Sequence, residues 1–283
     1  TGGRLGDIYG RGRMFFLGLI GFAAASLLCG LAWSPWVLII GRILQGATAA
    51  IMAPQALASV QAIFPEAEKP FALSLYGAVF GLDSVIGQVS GGILISANLF
   101  GLGWRTIFLV NLPVALLVIL FGVPLLKETR AQSAQRLDPV GTLLTTVMLS
   151  AVIVPLTEGR EAGWPWWTWL SLLAFPLLAR LLWRYEDRLS QHGGSPLLNP
   201  AVLRAPGLGQ GLAIVLLFYS IGAFFLLFSI YLQGALHLNA LTAGLIFLPF
   251  GVGFLIGPLL TPYLRRLVGN YLSAIGMGCE TLG

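Results

Sequence analysis

Two ionisable residues stand in the middle of apolar sequence. Arg42 lies about seven residues into the apolar run 35–60, and Asp83 lies near the middle of the run 71–97, within Gly81-Leu82-Asp83-Ser84. A charge inside hydrocarbon costs roughly 2.5–3.5 kcal/mol at a helix centre on insertion scales, so it persists where it meets a partner or a cavity. At Asp83 two forces oppose each other: desolvation favours the neutral acid, and a cation such as Arg42 favours the carboxylate. A carboxyl balanced between them could load and release a proton as its surroundings change; the alternative is a protonated or packing Asp hydrogen-bonded to Ser84. Arg42 could equally snorkel or hydrogen-bond between helices. Gln45, Gln55, Gln88 and Asn111 are polar residues on otherwise apolar runs, suited either to lining a cavity or to bonding between helices. His237 falls in a predicted loop and reads as solvated.

Nothing in the sequence has the make-up of an enzyme site. There is no phosphate-cradling Walker loop, no paired His or Cys at metal-ligand spacing, and no nucleophile with a matching base. No cofactor and no metal are expected. Cys29 and Cys279 both lie in apolar sequence and read as small buried hydrophobes.

The elements that position these residues are membrane helices. Of 283 residues, 57% are hydrophobic and 10% charged, and the mean hydropathy is +0.87. A soluble domain carries roughly 25% charged residues, so this chain has too little polar surface for water and suits a lipid bilayer. Apolar runs at 14–33, 35–60, 71–97, 106–126, 139–157, 166–183, 208–234 and 241–263 each approach or exceed the ~20 residues of a spanning helix. A further run opens near Tyr271, so the sequence predicts an all-α polytopic membrane protein with about eight complete spanning helices and the start of another.

Charge placement tests that count. Threading the runs alternately puts 13 of the 16 Lys and Arg on one side, leaves Arg105 and Arg160 on the other, and keeps Arg42 within a span. The positive-inside rule makes the rich side cytoplasmic. Trp33, Trp36, Trp104, Trp164, Trp166, Trp167 and Trp169 fall near the opposite ends, where amphipathic rings suit the headgroup level. Cations divided among short breaks, despite a net charge of +5, exclude the clustered basic face of a nucleic-acid binder. Thr1 opens in a Gly- and Arg-rich loop and the last residues stop inside an apolar run, so the natural protein is expected to be longer at both ends.

Gly3-Arg4-Leu5-Gly6-Asp7-Ile8-Tyr9-Gly10-Arg11-Gly12-Arg13 resembles the signature of the major facilitator superfamily between its second and third helices. Gly3 and Gly10 would permit a tight interhelical turn, and Asp7 could cap a helix N-terminus and pair with Arg11 or Arg13. Arg42-Ile43-Leu44-Gln45-Gly46-Ala47 looks like the fourth-helix motif. Gly87-Gln88-Val89-Ser90-Gly91-Gly92 looks like the fifth-helix antiporter motif, with Gln88 where the family pattern usually has Pro. The glycines Gly87, Gly91 and Gly92 would allow close helix packing. Trp104 to Pro113, Leu137-Asp138-Pro139-Val140-Gly141 and Tyr231-Leu232-Gln233 resemble landmarks of the 14-helix drug:proton antiporter branch, the EmrB/QacA-like multidrug exporters. Pro262 to Asn270 loosely echoes the opening segment, as a repeated fold would.

The resemblance implies a domain plan: 1–126 as the third to sixth helices of an N-terminal bundle, 127–204 as an inserted helix pair with linkers, and 205–283 as the start of a C-terminal bundle. It also implies export of hydrophobic or cationic small molecules in exchange for protons, by alternating access, from the bacterial cytoplasmic membrane. Arg42 would then bias the protonation of nearby carboxylates, with Gln45 and Gln88 along the pathway; Asp83 joins them from its place in an apolar run and not from the resemblance, the alternative being an acidic residue of the preceding helices. Asp7, Arg11 and Arg13 would form a cytoplasmic latch. The protein would act as a monomer, with periplasmic or outer-membrane efflux components as conceivable partners. An uptake symporter on the same scaffold, or a membrane-embedded sensor or enzyme, are the rival readings.

Overall fold

The computed structural model describes residues 2–126, 128–130, 137–198, 202 and 205–282. Every apolar run is helical. In chain order the helices are α1 (Gly2–Tyr9), α2 (Arg11–Gly30), α3 (Pro35–Ile63), α4 (Lys69–Ala97), α5 (Thr106–Leu109), α6 (Asn111–Leu125), α7 (Pro139–Glu158), α8 (Trp166–Gln191), α9 (Leu208–Tyr219), α10 (Ile221–Ile230), α11 (Ala240–Ile246), α12 (Leu248–Val268) and α13 (Leu272–Leu282). Among the described residues seven helical stretches are long and apolar enough to cross a membrane; α4, with 29 residues, is as long as the longest of them. The final run becomes α13.

The helix starts follow from local chemistry. Ser34 caps α3, its hydroxyl accepting from Val37 N at 3.4 Å, with Pro35 in the first helical position. Asn239 caps α11 by accepting from Thr242 N at 2.7 Å. Asp138 caps α7 ahead of Pro139, accepting from Gly141 N at 2.8 Å. Pro54, Pro155, Pro176, Pro258 and Pro262 lie inside helices. Spanning helices tolerate such prolines, because neighbouring groups re-satisfy the freed carbonyls.

Apolar side chains cover the outside. Leu125 is 78% exposed, and Trp33 79%. Such a surface needs hydrocarbon and headgroups around it rather than water. Cys29 is fully buried, as expected; Cys279 is exposed on α13, because no described element packs over it.

By internal contacts the chain forms two units, residues 1–9 with 130–221, and residues 10–129 with 222–283. In the first, α7 packs against α8, and the apolar part of α8 ends near Trp183, ahead of the charged stretch Arg184-Tyr185-Glu186-Asp187-Arg188. In the second, α2 packs along α3 and against α5 and α6, while α4 packs against α11 and α12. Phe224, Phe225 and Phe228 do pack rather than stand free. Phe225 and Phe228 lie 5.6 and 5.5 Å, ring to ring, from the fully buried Phe247, and Phe224 stacks on Phe228 at 5.3 Å.

The opening segment corrects one expectation. It is a helix, α1, and not a loop, and Gly3 lies within it. Glycine permits a turn without compelling one; here Gly6 is buried in packing and Arg4 anchors the helix to distant carbonyls. The turn falls at Gly10 alone, where φ is +109°, a region that favours glycine. Gly269, at the end of the echoing segment, repeats the device with φ +62° between α12 and the helical residues that follow.

Candidate functional site

Four of the polar residues within apolar helices form one connected chain. Arg42 and Gln45 sit one turn apart on α3, and Arg42 Nη1 donates to Gln45 Oε1 at 2.7 Å. Gln45 Nε2 donates to Ser26 Oγ on α2 at 2.7 Å, and Asn111 Nδ2 at the start of α6 donates to the same oxygen at 3.3 Å. Ser26 is fully buried and Gln45 nearly so. With its oxygen turned to Arg42 and its nitrogen to Ser26, the Gln45 amide has its orientation fixed at both ends. The Arg42 guanidinium also lies 5.7 Å from the centre of the Phe108 ring, within cation–π range. No carboxylate pairs with Arg42 among the described residues. The arrangement holds a cation inside a span with neutral partners, which keeps its charge available to a carboxyl that approaches it.

Arg42, Gln45 and Asn111 were legible as polar intruders in apolar runs. Ser26 was not. It follows Ala23-Ala24-Ala25 without any spacing pattern, and its small size at the crossing of α2 with α3 is what admits it.

Asp83 occupies a different setting. It is exposed on α4 and has no hydrogen bond or ion pair among the described residues, with Arg42 or with any other group. The neighbouring residues Leu82, Ile86 and Val89 line an apolar groove of roughly 260 Å³ against Leu248, Val252 and Leu255 of α12. The side chain of Gln88 lies outside the described residues. In the glycine motif only Gly92 makes the close approach: a Cβ there would stand 2.6 Å from the Ala240 carbonyl oxygen. Gly87 and Gly91 face open space among the described residues. They share one helix face, i and i+4, whereas Gly92 is turned about 100° from Gly91, and it is that side which meets α11.

At the opening motif the start of α2 is capped otherwise than the sequence suggests. The cap position of α2 is Gly10, without a side-chain cap, and Asp7 lies in α1. The first N–H groups of α2 are instead met from residues 128–129. Glu128 Oε1 accepts from Gly12 N and Oε2 from Arg13 N, each at 3.2 Å, while Arg11 N donates to the Thr129 carbonyl at 3.0 Å. A carboxylate at a helix N-terminus meets both unsatisfied donors and the positive end of the helix dipole. Glu128 Oε2 also lies 3.9 Å from Arg13 Nε. Arg11 Nη1 donates to the Ala58 carbonyl in the last third of α3 at 3.0 Å. A Cβ on Gly10 would collide with the Glu128 carboxylate, so Gly10 serves both the turn and this contact. Sequence reasoning missed Glu128 because nothing local ties it to a helix start 116 residues away.

Comparison with known proteins matches the chain to one family. The profile described as Major Facilitator Superfamily matches residues 1–279. The chain is 40% identical over 262 residues to a protein of Streptomyces coelicolor named "Probable actinorhodin transporter", covering 92% of this chain and 45% of that protein. It is 39% identical over 259 residues to a puromycin resistance protein of Streptomyces alboniger, covering 90% and 50%. It is 34% identical over 288 residues to a cephamycin export protein of Amycolatopsis lactamdurans, covering 100% and 58%. The chain therefore spans about half the length of the curated relatives it matches.

Proposed function

The chain belongs to the major facilitator superfamily, a family of multi-pass membrane transport proteins, and on that premise we propose that the protein exports hydrophobic or cationic antibiotics and related drugs in exchange for protons. Relatives named for actinorhodin transport, puromycin resistance and cephamycin export support drug export as the activity. The observation that carries the proton exchange is the chain Arg42–Gln45–Ser26–Asn111, which fixes an uncompensated cation within a span. Such a cation lowers the proton affinity of a carboxyl that comes near it and leaves it unchanged when the carboxyl moves away. Alternating access supplies that change of distance, and Asp83 on the exposed side of α4 is the carboxyl assigned to it. The apolar groove beside Asp83 suits greasy substrates.

In this reading the arginine-rich ends face the cytoplasm, and residues 1–126, 127–204 and 205–283 are the remainder of one bundle, an inserted pair and the start of a second bundle. Asp7, Arg11 and Arg13, together with Glu128, belong to a latch that opens and closes during the cycle. The test uses the full-length protein in liposomes with an imposed proton gradient. Wild type expels a cationic dye against its gradient, Arg42→Ala loses gradient-driven export by about tenfold or more while still binding dye, and Arg42→Lys retains part of it. Gradient-driven accumulation of a polar nutrient with no dye export would instead establish an uptake symporter.

A further inference from the structure

A second group of titratable residues lies at the arginine-rich end of the α7–α8 pair, and the proposed coupling chain does not use it. Asp138 Oδ1 accepts from Gly141 N and from the Tyr185 hydroxyl, each at 2.8 Å. Glu186, only 2% exposed, comes from α8 beyond its apolar run, and its Oε2 accepts from Leu198 N at 3.4 Å. The other oxygen of each carboxyl, Asp138 Oδ2 and Glu186 Oε1, is buried without a hydrogen-bond partner among the described residues. A Cβ on Gly141 would stand 2.6 Å from Glu186 Oε1 and closer still to Asp138 Oδ2. The two orphaned oxygens therefore crowd one point, above the bare Cα of a glycine.

Two buried carboxylates at such range repel, and each orphaned oxygen carries a desolvation cost. One proton removes both penalties, since a neutral acid donates where a carboxylate accepts. The partners decide which residue carries it. Asp138 Oδ1 already has two donors at a helix N-terminus, so that carboxyl is placed to accept. Glu186 meets only backbone N–H groups, those of Leu197 and Leu198, the latter at a long 3.4 Å, and its burial favours the neutral acid.

We propose that Glu186 is protonated and donates from Oε1 to Asp138 Oδ2, so that the pair binds a single proton and thereby clamps the start of α7 to the end of α8. Burial pushes the Glu186 carboxyl above the usual carboxylate range, the Asp138 charge adds to this, and the Leu198 N–H and the cation of Arg4 oppose it. The hydrogen bond to Asp138, with burial, pushes the Tyr185 hydroxyl up to about 12, which keeps it a donor throughout. Asp138, Tyr185 and Arg4 are the groups that face Glu186 here. Arg4 in turn donates to the carbonyls of Ser195 and Pro196, in the same strap that supplies Leu198 N. The sign follows from a raised acid: the clamp is complete while Glu186 holds its proton and is lost as pH rises through its raised pKa. Release of the proton to water leaves two facing carboxylates.

The test is made on the full-length protein in detergent or nanodiscs. Infrared difference spectra over a pH titration of wild type are expected to show a protonated-carboxyl carbonyl band, shifted in heavy water, that disappears towards alkaline pH. The band should be absent in Glu186→Gln. In parallel, the wild-type melting midpoint should fall by about 2–4 °C or more across the same titration. Glu186→Gln, whose amide N–H still reaches Asp138 Oδ2, should lack that alkaline fall. A wild-type spectrum without such a band at any pH overturns the proposal, as does an unchanged alkaline fall in Glu186→Gln. Stabilisation by sodium, potassium or calcium at fixed pH, lost in Glu186→Gln, would also overturn it, by making the pair a cation site.

Discussion

Arg42 and Asp83 look alike in the sequence, as charges in apolar helices, and both are exposed, but the structure gives only Arg42 a polar partner among the described residues. Arg42 is tied through Gln45 to a buried hydroxyl shared by three helices, whereas Asp83 stands on α4 with no polar partner among the described residues. The contrast separates two ways in which a membrane helix can carry a charge. A tethered charge has its position set by the fold and acts as a fixed reference. An untethered one has its protonation set by whatever faces it at that moment, which is the property a proton carrier requires.

The largest effect is expected where the tether is cut. Gln45→Leu removes both central bonds of the chain and leaves the Arg42 guanidinium without its acceptor. Hydrogen bonds to charged groups are worth about 1.5–3 kcal/mol, so the full-length protein should lose stability of that order, read as a lower denaturation midpoint in detergent. Gln45→Glu, which keeps an acceptor for Arg42, should recover part of the loss. A Gln45→Leu protein as stable as wild type would erase the distinction between the two regions.

A second contrast lies within α4 itself. Gly92→Ala places a Cβ 2.6 Å from a backbone oxygen, so α11 must shift, at a cost of about 1–3 kcal/mol. Gly87→Ala meets nothing within reach and should stabilise the helix by about 0.5–1 kcal/mol, the usual gain of Ala over Gly in a helix interior. Opposite signs from one motif would locate its packed side; a destabilising Gly87→Ala would place a neighbour against that face too.

The sequence made the helices legible because composition and run length constrain a membrane chain so tightly. Apolar runs of about 20 residues have few alternatives to helix in lipid. Arg42, Gln45 and Asn111 stood out for the same reason: a polar residue in such a run is conspicuous. What stayed hidden depends on contacts far apart in the chain. Glu128 reads as part of an ordinary charged loop until it is found capping α2, and Glu186 reads as one more residue of a charged stretch until its burial against Asp138 is seen. Gly87 and Gly92 are indistinguishable as letters, since only the direction of a neighbouring helix decides which of them is crowded. The opening segment reads as a loop in sequence because glycines permit a turn, and only Gly10 uses that freedom.

The smallest effect on stability is expected at Asp83, and its smallness is the point. With no polar contact among the described residues, Asp83→Asn replaces the carboxyl by a near-isosteric neutral group at an exposed position. Stability should stay within about 0.5 kcal/mol of wild type, as for surface substitutions away from any network. Gradient-driven dye export, in contrast, should fall sharply if Asp83 carries the exchanged proton, because an amide cannot release one. Loss of export at unchanged stability would mark Asp83 as a working group rather than a packing one. Unchanged export would remove Asp83 from the mechanism and leave the coupling carboxyl to another residue that approaches Arg42. Loss of both export and stability would show a polar partner for Asp83 elsewhere in the full-length protein, and the difference drawn between the two charges would then narrow to one of partner identity.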